Sequence, residues 1–449
     1  MRAQQSFQGG CCLGCIKVRP MAVIVQKFGG TSLEGLEAIQ RAAGRALCER
    51  QRGHQVVVVT SAMALATDQL CKLAAPFQQT GTAEHDVLLA SGEQVTASLM
   101  ALCLQQQGVK SRSFLSWQLP VVTDTAHGQA MIQHIDTAPL KRLMDEGGIA
   151  VVAGFQGVTS DGRLSTLGRG GSDITALALA AFLKKNEGLQ DVSCHIYTDV
   201  HGVCVADPRL VPHAKKLDVI DYDTMHHMAE KGAHVLHPKS ILYAKAHHIP
   251  LLVRSSFADP QPANNVAPMA SNPEAGQGTW LKQTALLDDA PFLMAATKGW
   301  CVFQDLPAST PFEHFMQQLA TKHPHACVKL HALSHQAKPV LALQADLLRA
   351  YQTTLGSFLT EMPFEDCALL SLQSQDPEAF ARHDTLAQLQ EKLLQQAVEQ
   401  ECEDTLWSAH QKGEWYVCMP QKVLPLSMRL VHDVCYAPHV FKQASEHSS

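Results

Sequence analysis

Apolar residues fall into two rhythms along this chain. Up to about residue 254, short apolar runs bounded by polar turns occur at 22–28, 55–61, 110–115, 148–153, 192–198 and 250–253. The stretches between them carry apolar residues at helical spacing, as in Leu33, Leu36 and Ile39. Near-continuous apolar runs read as strands covered on both faces. Their alternation with helices predicts an α/β fold with a mostly parallel central sheet and helices on both sides. The segment SSFADPQPANNVAPMASNPEAGQGTW, 255–280, is rich in Pro, Asn, Gly and Ala and reads as a long surface loop or linker.

Beyond about residue 285 the elements shorten. Phe292–Ala296 is strand-like, and Thr310-Pro311-Phe312-Glu313 has capping-box spacing ahead of a face formed by Phe312, Phe315, Met316 and Leu319. ACVKLHAL and PVLALQ follow as strands, and Asp346 is placed to cap a helix carrying Leu347, Leu348, Tyr351 and Leu355. A second, less regular unit holds ALLSL, a helix with Leu386, Leu389, Leu393 and Ala397 on one face, and EWYVCM. The order predicts an α+β region after the larger domain. The expected division is a tail over 1–20, a first domain over 21–284, and a C-terminal region over 285–449 made of two units, about 285–362 and 363–449.

A chain of 449 residues exceeds what one core usually holds, and its 46% hydrophobic content supplies ample core. Its net charge of −6 and lack of a dense basic block argue against nucleic acid or an anionic membrane as the main partner. No uninterrupted apolar run approaches the roughly 18 residues of a membrane span. The first twenty residues lack a signal-like apolar stretch, so a cytoplasmic protein is expected. The 14 cysteines are scattered and read as reduced thiols. Cys11, Cys12 and Cys15 contain one C-x-x-C without a second pair, so no resident metal site is expected.

Four stretches carry candidate chemistry. In VQKFGGTSLEG, 25–35, a strand runs into Gly29-Gly30 and then toward a helix. Glycine permits positive φ, and successive N–H groups beside a helix start can cradle an anion. Lys27 adds a mobile charge, and Thr31 and Ser32 add hydroxyls. From this stretch alone, an ordinary turn with a surface lysine reads as well. In TLGRGGSDITALALAA, 166–181, Ser172 is a suitable N-cap for an alanine-rich helix, and the Arg169 fork suits a carboxylate. In IYTDVHGVCVADPRLVP, Thr198 and Asp199 stand at the carboxyl end of a strand, where open α/β sheets bind ligands. Asp207-Pro208-Arg209 is either part of that site or a turn closed by its own ion pair. In LLASGEQVTASL, Glu93 follows a Ser-Gly break in an apolar helix. It is either partly exposed or buried against a cation such as a substrate ammonium. Neither a Walker loop nor a G-x-G-x-x-G fingerprint is present.

Together with GAHVLHPKS at 232–240, these pieces closely resemble the aspartate kinases of the amino-acid kinase superfamily. KFGGTS, GFQG, TLGRGGSD, YTDVHGV, DPR and VLHP occur over about 21–284 in that family's order and approximate spacing. The resemblance implies the amino-acid kinase fold followed by an ACT-like regulatory or dimerisation region, and hence a homodimer or larger homo-oligomer. It implies transfer of the γ-phosphoryl group of ATP, carried with Mg2+, to the side-chain carboxylate of L-aspartate. The product, 4-phospho-L-aspartate, opens the aspartate-derived route to lysine, threonine and methionine. Such a carboxylate is already ionised at pH 7, so positioning and charge neutralisation suffice.

By the same resemblance Lys27 and Asp173 are catalytic, and Thr67, Glu93, Phe155, Arg169 and Ser172 hold the amino acid. Glu93 takes the ammonium and Arg169 the α-carboxylate. Lys27, Phe28, Gly29, Gly30, Ser61, Thr198, Asp199, Asp207, Arg209 and His234 belong to the nucleotide side. Two positions depart from the family: His234 stands where a lysine is usual, and Cys204 where a tyrosine is usual. Both predict weaker nucleotide binding unless His234 carries a proton. No glycine-containing effector loop is legible after residue 285, where KGWCVFQDLPASTPF stands instead. Two further readings share the fold. One is a kinase of glutamate or N-acetylglutamate, disfavoured by the GRGGSD and GEQ pair, and the other is a regulatory pseudokinase.

Overall fold

The structure is a computed structural model that describes residues 22–257, 278–283, 292–303, 327–332, 340–344, 364–374, 385–400, 407–411 and 414–436. The cysteine cluster at 11–15, the cap at 310–313 with its helical face, the helix expected after Asp346 and most of the 255–280 linker lie outside them.

The first domain alternates as the apolar rhythm predicts. In order it contains β1 (Val23–Phe28), α1 (Leu36–Gln51), β2 (Gln55–Thr60), α2 (Ala66–Ala74), α3 (Ala83–Gln106), β3 (Ser111–Phe114), β4 (Val121–Thr123), β5 (Ile132–Ile135) and α4 (Ala138–Asp145). There follow β6 (Ile149–Ala153), β7 (Gln156–Val158), β8 (Leu164–Thr166), α5 (Gly171–Asn186), β9 (Val192–Thr198), β10 (Val219–Asp221), α6 (Tyr222–Glu230), α7 (Pro238–Ala246), β11 (Leu251–Ser255) and β12 (Thr279–Lys282). Eight strands form one sheet in the order β10-β12-β11-β9-β1-β2-β6-β3. Every neighbouring pair is parallel except β11–β12.

The strand β2 shows why the sheet is covered on both sides. Val57 and Val59 join the core beneath α5, whereas Val56 and Val58 join the opposite core with Ile39 of α1 and Met100 of α3. A period of two thus feeds two helical layers. Two features differ from expectation. Thr279–Lys282, whose first two residues end the stretch read as linker, is a sheet strand whose Leu281 is fully buried. The short strands β4, β5, β7 and β8 form a second sheet in the order β5-β4-β7-β8, too short for an apolar rhythm to reveal.

α3 runs unbroken through Ser91-Gly92, where a break was expected. Ser91 Oγ donates back to the Leu88 carbonyl at 2.7 Å, and Gly92 lies where a Cβ would come within 2.8 Å of Ala62 Cβ. The pair is there for close packing. Among the described residues α3 alone is long and apolar enough to cross a membrane. Here Leu89, Ala97, Met100 and Leu104 are buried, the last three in the core with Val56 and Val58, so it is a core helix.

The C-terminal region is α+β, but its two expected units share one sheet. Strands β13 (Phe292–Phe303), β14 (Cys327–Ala332), β15 (Val340–Gln344), β16 (Phe364–Ser374), β17 (Trp407–Gln411) and β18 (Glu414–Pro420) close into an antiparallel barrel, ordered β13-β15-β14-β17-β18-β16. Pairing of β13 with β16 joins the halves along most of both strands. Helices Thr385–Glu399 and Leu424–Tyr436 pack Leu389, Leu393, Met428 and Val431 against Leu370, Leu372, Trp415 and Val417. Ala206 and Val211 of the first domain enter this same core, so the two parts meet along a packed seam.

Candidate functional site

A cleft of about 1170 Å³ opens at the carboxyl ends of β1 and β9 and at the start of α5. Lys27, Gly29, Gly30, Ser61, Thr67, Glu93, Phe155, Arg169, Ser172, Asp173 and Thr198, eleven of the positions singled out from the sequence, line it.

The turn after β1 is built differently from the expected cradle. Gly30 sits at φ −58°, and neither Gly29 nor Gly30 has positive φ. A short 3-10 turn, Thr31–Leu33, follows, and α1 begins only at Leu36. Glycine is required at position 30 for proximity instead: a Cβ there would come within 3.0 Å of the Ala62 carbonyl oxygen. The backbone of 29–32 is thereby pressed against the loop after β2, with Ala64 N–H donating to the Gly30 carbonyl at 3.1 Å.

At the end of β1, Lys27 Nζ lies 2.6 Å from Asp173 Oδ1 in the first turn of α5, and both side chains are only 12% exposed. An ion pair this enclosed holds the ammonium aimed along the cleft. Ser172 is not the cap of α5, because the helix starts at Gly171 and Gly170 occupies the cap position at φ 72°. The chain needs a left-handed residue there to turn from the Arg169 loop into the helix. A Cβ at position 170 would also lie 2.7 Å from His237 Cβ. Arg169 is exposed on that loop and has no hydrogen-bond partner among the described residues. Phe155 is held at φ 68°, rare for an aromatic residue, with its N–H donating to Thr175 Oγ1 at 3.1 Å.

Glu93 is the unusual group. It is 4% exposed, its Oε1 accepts the Ala62 N–H at 2.9 Å, and its Oε2 is buried with no partner. Burial pushes its pKa up to about 7, against the opposing pull of the Ala62 hydrogen bond and the Lys27 charge. A carboxyl with an unpartnered oxygen on a cleft wall is available to a cationic or hydrogen-bonding group.

The remaining positions sort differently. Phe28 does not reach the cleft: it is fully buried, stacked on Tyr197 at 4.6 Å, because the alternation of β1 turns it toward α1 and α3. Asp199, Asp207, Arg209 and His234 line a neighbouring cavity of about 630 Å³, bounded also by Cys204 and by Met294–Ala296 and Leu424 of the C-terminal region. Arg209 there makes a bidentate pair with Asp207, Nη2 to Oδ2 at 2.8 Å and Nε to Oδ1 at 3.0 Å, so the turn does close on its own ion pair. The histidine that caps α7 is His237, whose Nδ1 accepts the Lys239 N–H at 3.3 Å.

Several residues that line or support the cleft escaped the sequence reading. Asp86 on α3, fully buried, accepts from Thr166 Oγ1 at 2.6 Å, Thr166 N–H at 2.9 Å and Gly128 N–H at 3.1 Å, and meets His127 Nδ1 at 2.9 Å. It ties α3 to the 126–129 loop and to the strand before Arg169. Its partners lie about 40 and 80 residues away, so local pattern held no signal for it. His237 and Lys239 also reach the cleft, and burial holds the His237 imidazole below its usual pKa.

The family model for the amino acid kinase family matches residues 22–255. The chain belongs to the amino acid kinase family. Within it, the chain is 52% identical over 237 residues to aspartokinase 2 of Bacillus subtilis, a match covering 53% of this chain and 57% of that one. It is 49% identical over 238 residues to an aspartokinase of Geobacillus stearothermophilus, with the same coverage. The chain thus spans a little over half the length of the curated relatives it matches. In structure it is similar to E. coli aspartokinase III in complex with lysine and aspartate, with a TM-score of 0.64 at 22% identity, covering 92% of this chain and 99% of that one. That likeness in fold takes in the C-terminal region as well as the first domain.

Proposed function

We propose that this chain is an aspartate kinase, transferring the γ-phosphoryl group of ATP to the side-chain carboxylate of L-aspartate to give 4-phospho-L-aspartate. The observation that carries the reading is Glu93: a buried, unpartnered carboxylate oxygen on the same cleft as an exposed, unpaired Arg169. An α-amino acid offers a complement to each, its ammonium to Glu93 and its α-carboxylate to the Arg169 fork. Thr67, Phe155 and Ser172 would complete that pocket. Names of relatives at about 50% identity over the first domain support aspartate as the acid.

Phosphate belongs at the other end of the cleft. Lys27 neutralises charge developing on the transferring group, held in line by Asp173, while the Gly30 N–H is left to face phosphate oxygens, the Gly29 N–H being taken by the Tyr197 carbonyl at 3.2 Å. Mg2+ arriving with ATP supplies further neutralisation of the phosphates when bound, and Asp173 is the carboxylate nearest that end of the donor set. Ser61 and Thr198 flank this region. The nucleotide's outer part would pass Thr198 toward the cavity lined by Asp199, Asp207, Arg209 and His234. The opened product is the activated acid that begins an aspartate-derived amino acid route, in a cytoplasmic, homo-oligomeric enzyme.

The test is direct. Purified protein with L-aspartate, MgATP and hydroxylamine should yield aspartyl hydroxamate, and Lys27→Ala should lower kcat by about 100-fold or more. Arg169→Ala should raise the KM for aspartate far more than that for ATP. Turnover with glutamate or N-acetylglutamate but not aspartate would reassign the acceptor. Lack of turnover with all three, with ATP still bound, would favour the pseudokinase reading that His234 and Cys204 prompt. If His234 stands beside the nucleotide, His234→Lys should lower the KM for ATP.

A further inference from the structure

Among the described residues, one group of three metal-ligating side chains lies together, and it is outside the cleft, on the seam between the first domain and the barrel. His213 follows the Asp207–Arg209 turn, and His432 and Asp433 are consecutive on the helix Leu424–Tyr436. His213 Nε2 is 3.4 Å from Asp433 Oδ1, and His432 Nδ1 is 3.4 Å from the same oxygen. One ligand atom from each residue lies within 4.8 Å of the other two, and the imidazoles meet edge to face at 5.1 Å.

Those spacings bear on two readings of the cluster. A hydrogen bond between nitrogen and oxygen prefers about 2.9–3.0 Å, and 3.4 Å is at its outer limit. The edge of a tetrahedron whose centre lies about 2.0–2.1 Å from nitrogen and oxygen ligands is about 3.3–3.4 Å. Both edges to Asp433 Oδ1 have that length, and the third side of the triangle lies within 4.8 Å. The spacing therefore leaves room for an ion among the three ligand atoms.

The site is also held in place by its surroundings. His432 is 5% exposed, stacked on Tyr436 at 5.0 Å, and its Nε2 has no hydrogen-bond partner. Arg429 Nε donates to the Leu210 carbonyl at 2.9 Å, and Val211 is buried in the barrel core, so the loop bearing His213 is fixed to the helix on its near side. His213 and Asp433 are 64% and 41% exposed, leaving an open side for entry and for a water ligand.

We propose that His213, His432 and Asp433 bind one divalent ion of the zinc class, with water in the fourth position, and that this ion fastens the loop after Arg209 to the C-terminal helix. Imidazole with one carboxylate selects zinc or cobalt over magnesium or calcium, which prefer all-oxygen sites.

Cobalt(II) tests this on the full chain after removal of bound metal by a chelator. One equivalent should bind with the visible absorption of tetrahedral cobalt and without a thiolate charge-transfer band. His213→Ala and Asp433→Asn should each weaken binding by about 100-fold or more, beyond the loss typical of an outer-shell partner. His213 is exposed and Asp433 half-buried, and an unchanged melting temperature without metal would confirm that the variants fold. Zinc should then raise the melting temperature of the wild type but not of His213→Ala. Equal cobalt affinity in wild type and both variants would overturn the proposal. A thiolate band that persists in them, placing the metal on cysteines elsewhere, or no bound equivalent at all, would do the same.

Discussion

At the scale of single residues, the cleft is defined by what its buried groups lack. Glu93 has a folded-state pKa near 7, raised by burial above an unfolded value near 4.5. A raised pKa means that the folded protein holds the proton more tightly. Its stabilising contribution is thus present below pH 4.5 and lost as pH rises through 7. The shift corresponds to roughly 3 kcal/mol. Glu93→Gln keeps the shape without the charge, so it should match the wild type in stability at pH 4 and exceed it by up to about 3 kcal/mol at pH 8. Urea melts at the two pH values check this, and a constant difference would remove the link to ionisation. The same ionisation should make the wild-type KM for aspartate fall between pH 6 and 8, because the ammonium pairs with the charged form. Glu93→Gln should show a high KM without that fall.

At the scale of elements, the cleft walls are loops pinned by groups far away in sequence. Asp86 gathers the 126–129 loop and Thr166 onto α3. Asp86→Ala would leave the buried Thr166 N–H and hydroxyl and the half-buried Gly128 N–H without this acceptor, a loss of about 2–4 kcal/mol, and would free the strand leading to Arg169. The expected result is a lower melting temperature with a KM for aspartate that rises more than the KM for ATP. Equal changes in both would show general loosening instead. Gly170 supports the same wall from the other side, since its φ of 72° and the 2.7 Å approach of His237 exclude a Cβ. Gly170→Ala should therefore cost about 1–3 kcal/mol from backbone strain alone, read as a lower denaturant midpoint.

At the scale of the whole molecule, the first domain and the barrel are joined by charge as well as by apolar packing. Lys231 Nζ donates to Tyr416 Oη at 2.9 Å and lies 3.7 Å from Glu414, which also meets His227 Nε2 at 2.5 Å. Lys231 is buried and lies 4.6 Å from the centre of the Tyr416 ring. Removing it by Lys231→Ala takes the donor from Tyr416 Oη and leaves Glu414 with His227 alone, and should destabilise by about 1–3 kcal/mol. If the seam makes the two parts one cooperative unit, a single denaturation transition should shift as a whole. A split into two transitions would show that the parts unfold independently.

How much of this was legible in the chain depends on the range of each interaction. Apolar alternation and glycine-rich turns act over a few residues, so the parallel sheet, its flanking helices and the ends of β1, β9 and α5 could be read directly. Lys27, Glu93, Arg169 and Asp173 were legible for the same reason: each is a charged residue at the junction of two readable elements, or set within an apolar run. The resemblance carried by KFGGTS and TLGRGGSD placed them in order. Position within that frame was decided by tertiary contact. Phe28 turned into the core because the strand's alternation met α1 and α3 there, and Ser172 lost the cap to Gly170 because the turn needed a left-handed residue. Thr279–Lys282 became a strand because an open sheet edge was waiting beside β11. Asp86, the closure of the C-terminal strands into one barrel, and the meeting of His213 with His432 join residues from about 40 to more than 200 positions apart. No local pattern encodes such distances, and only the folded packing brings those groups within bonding range.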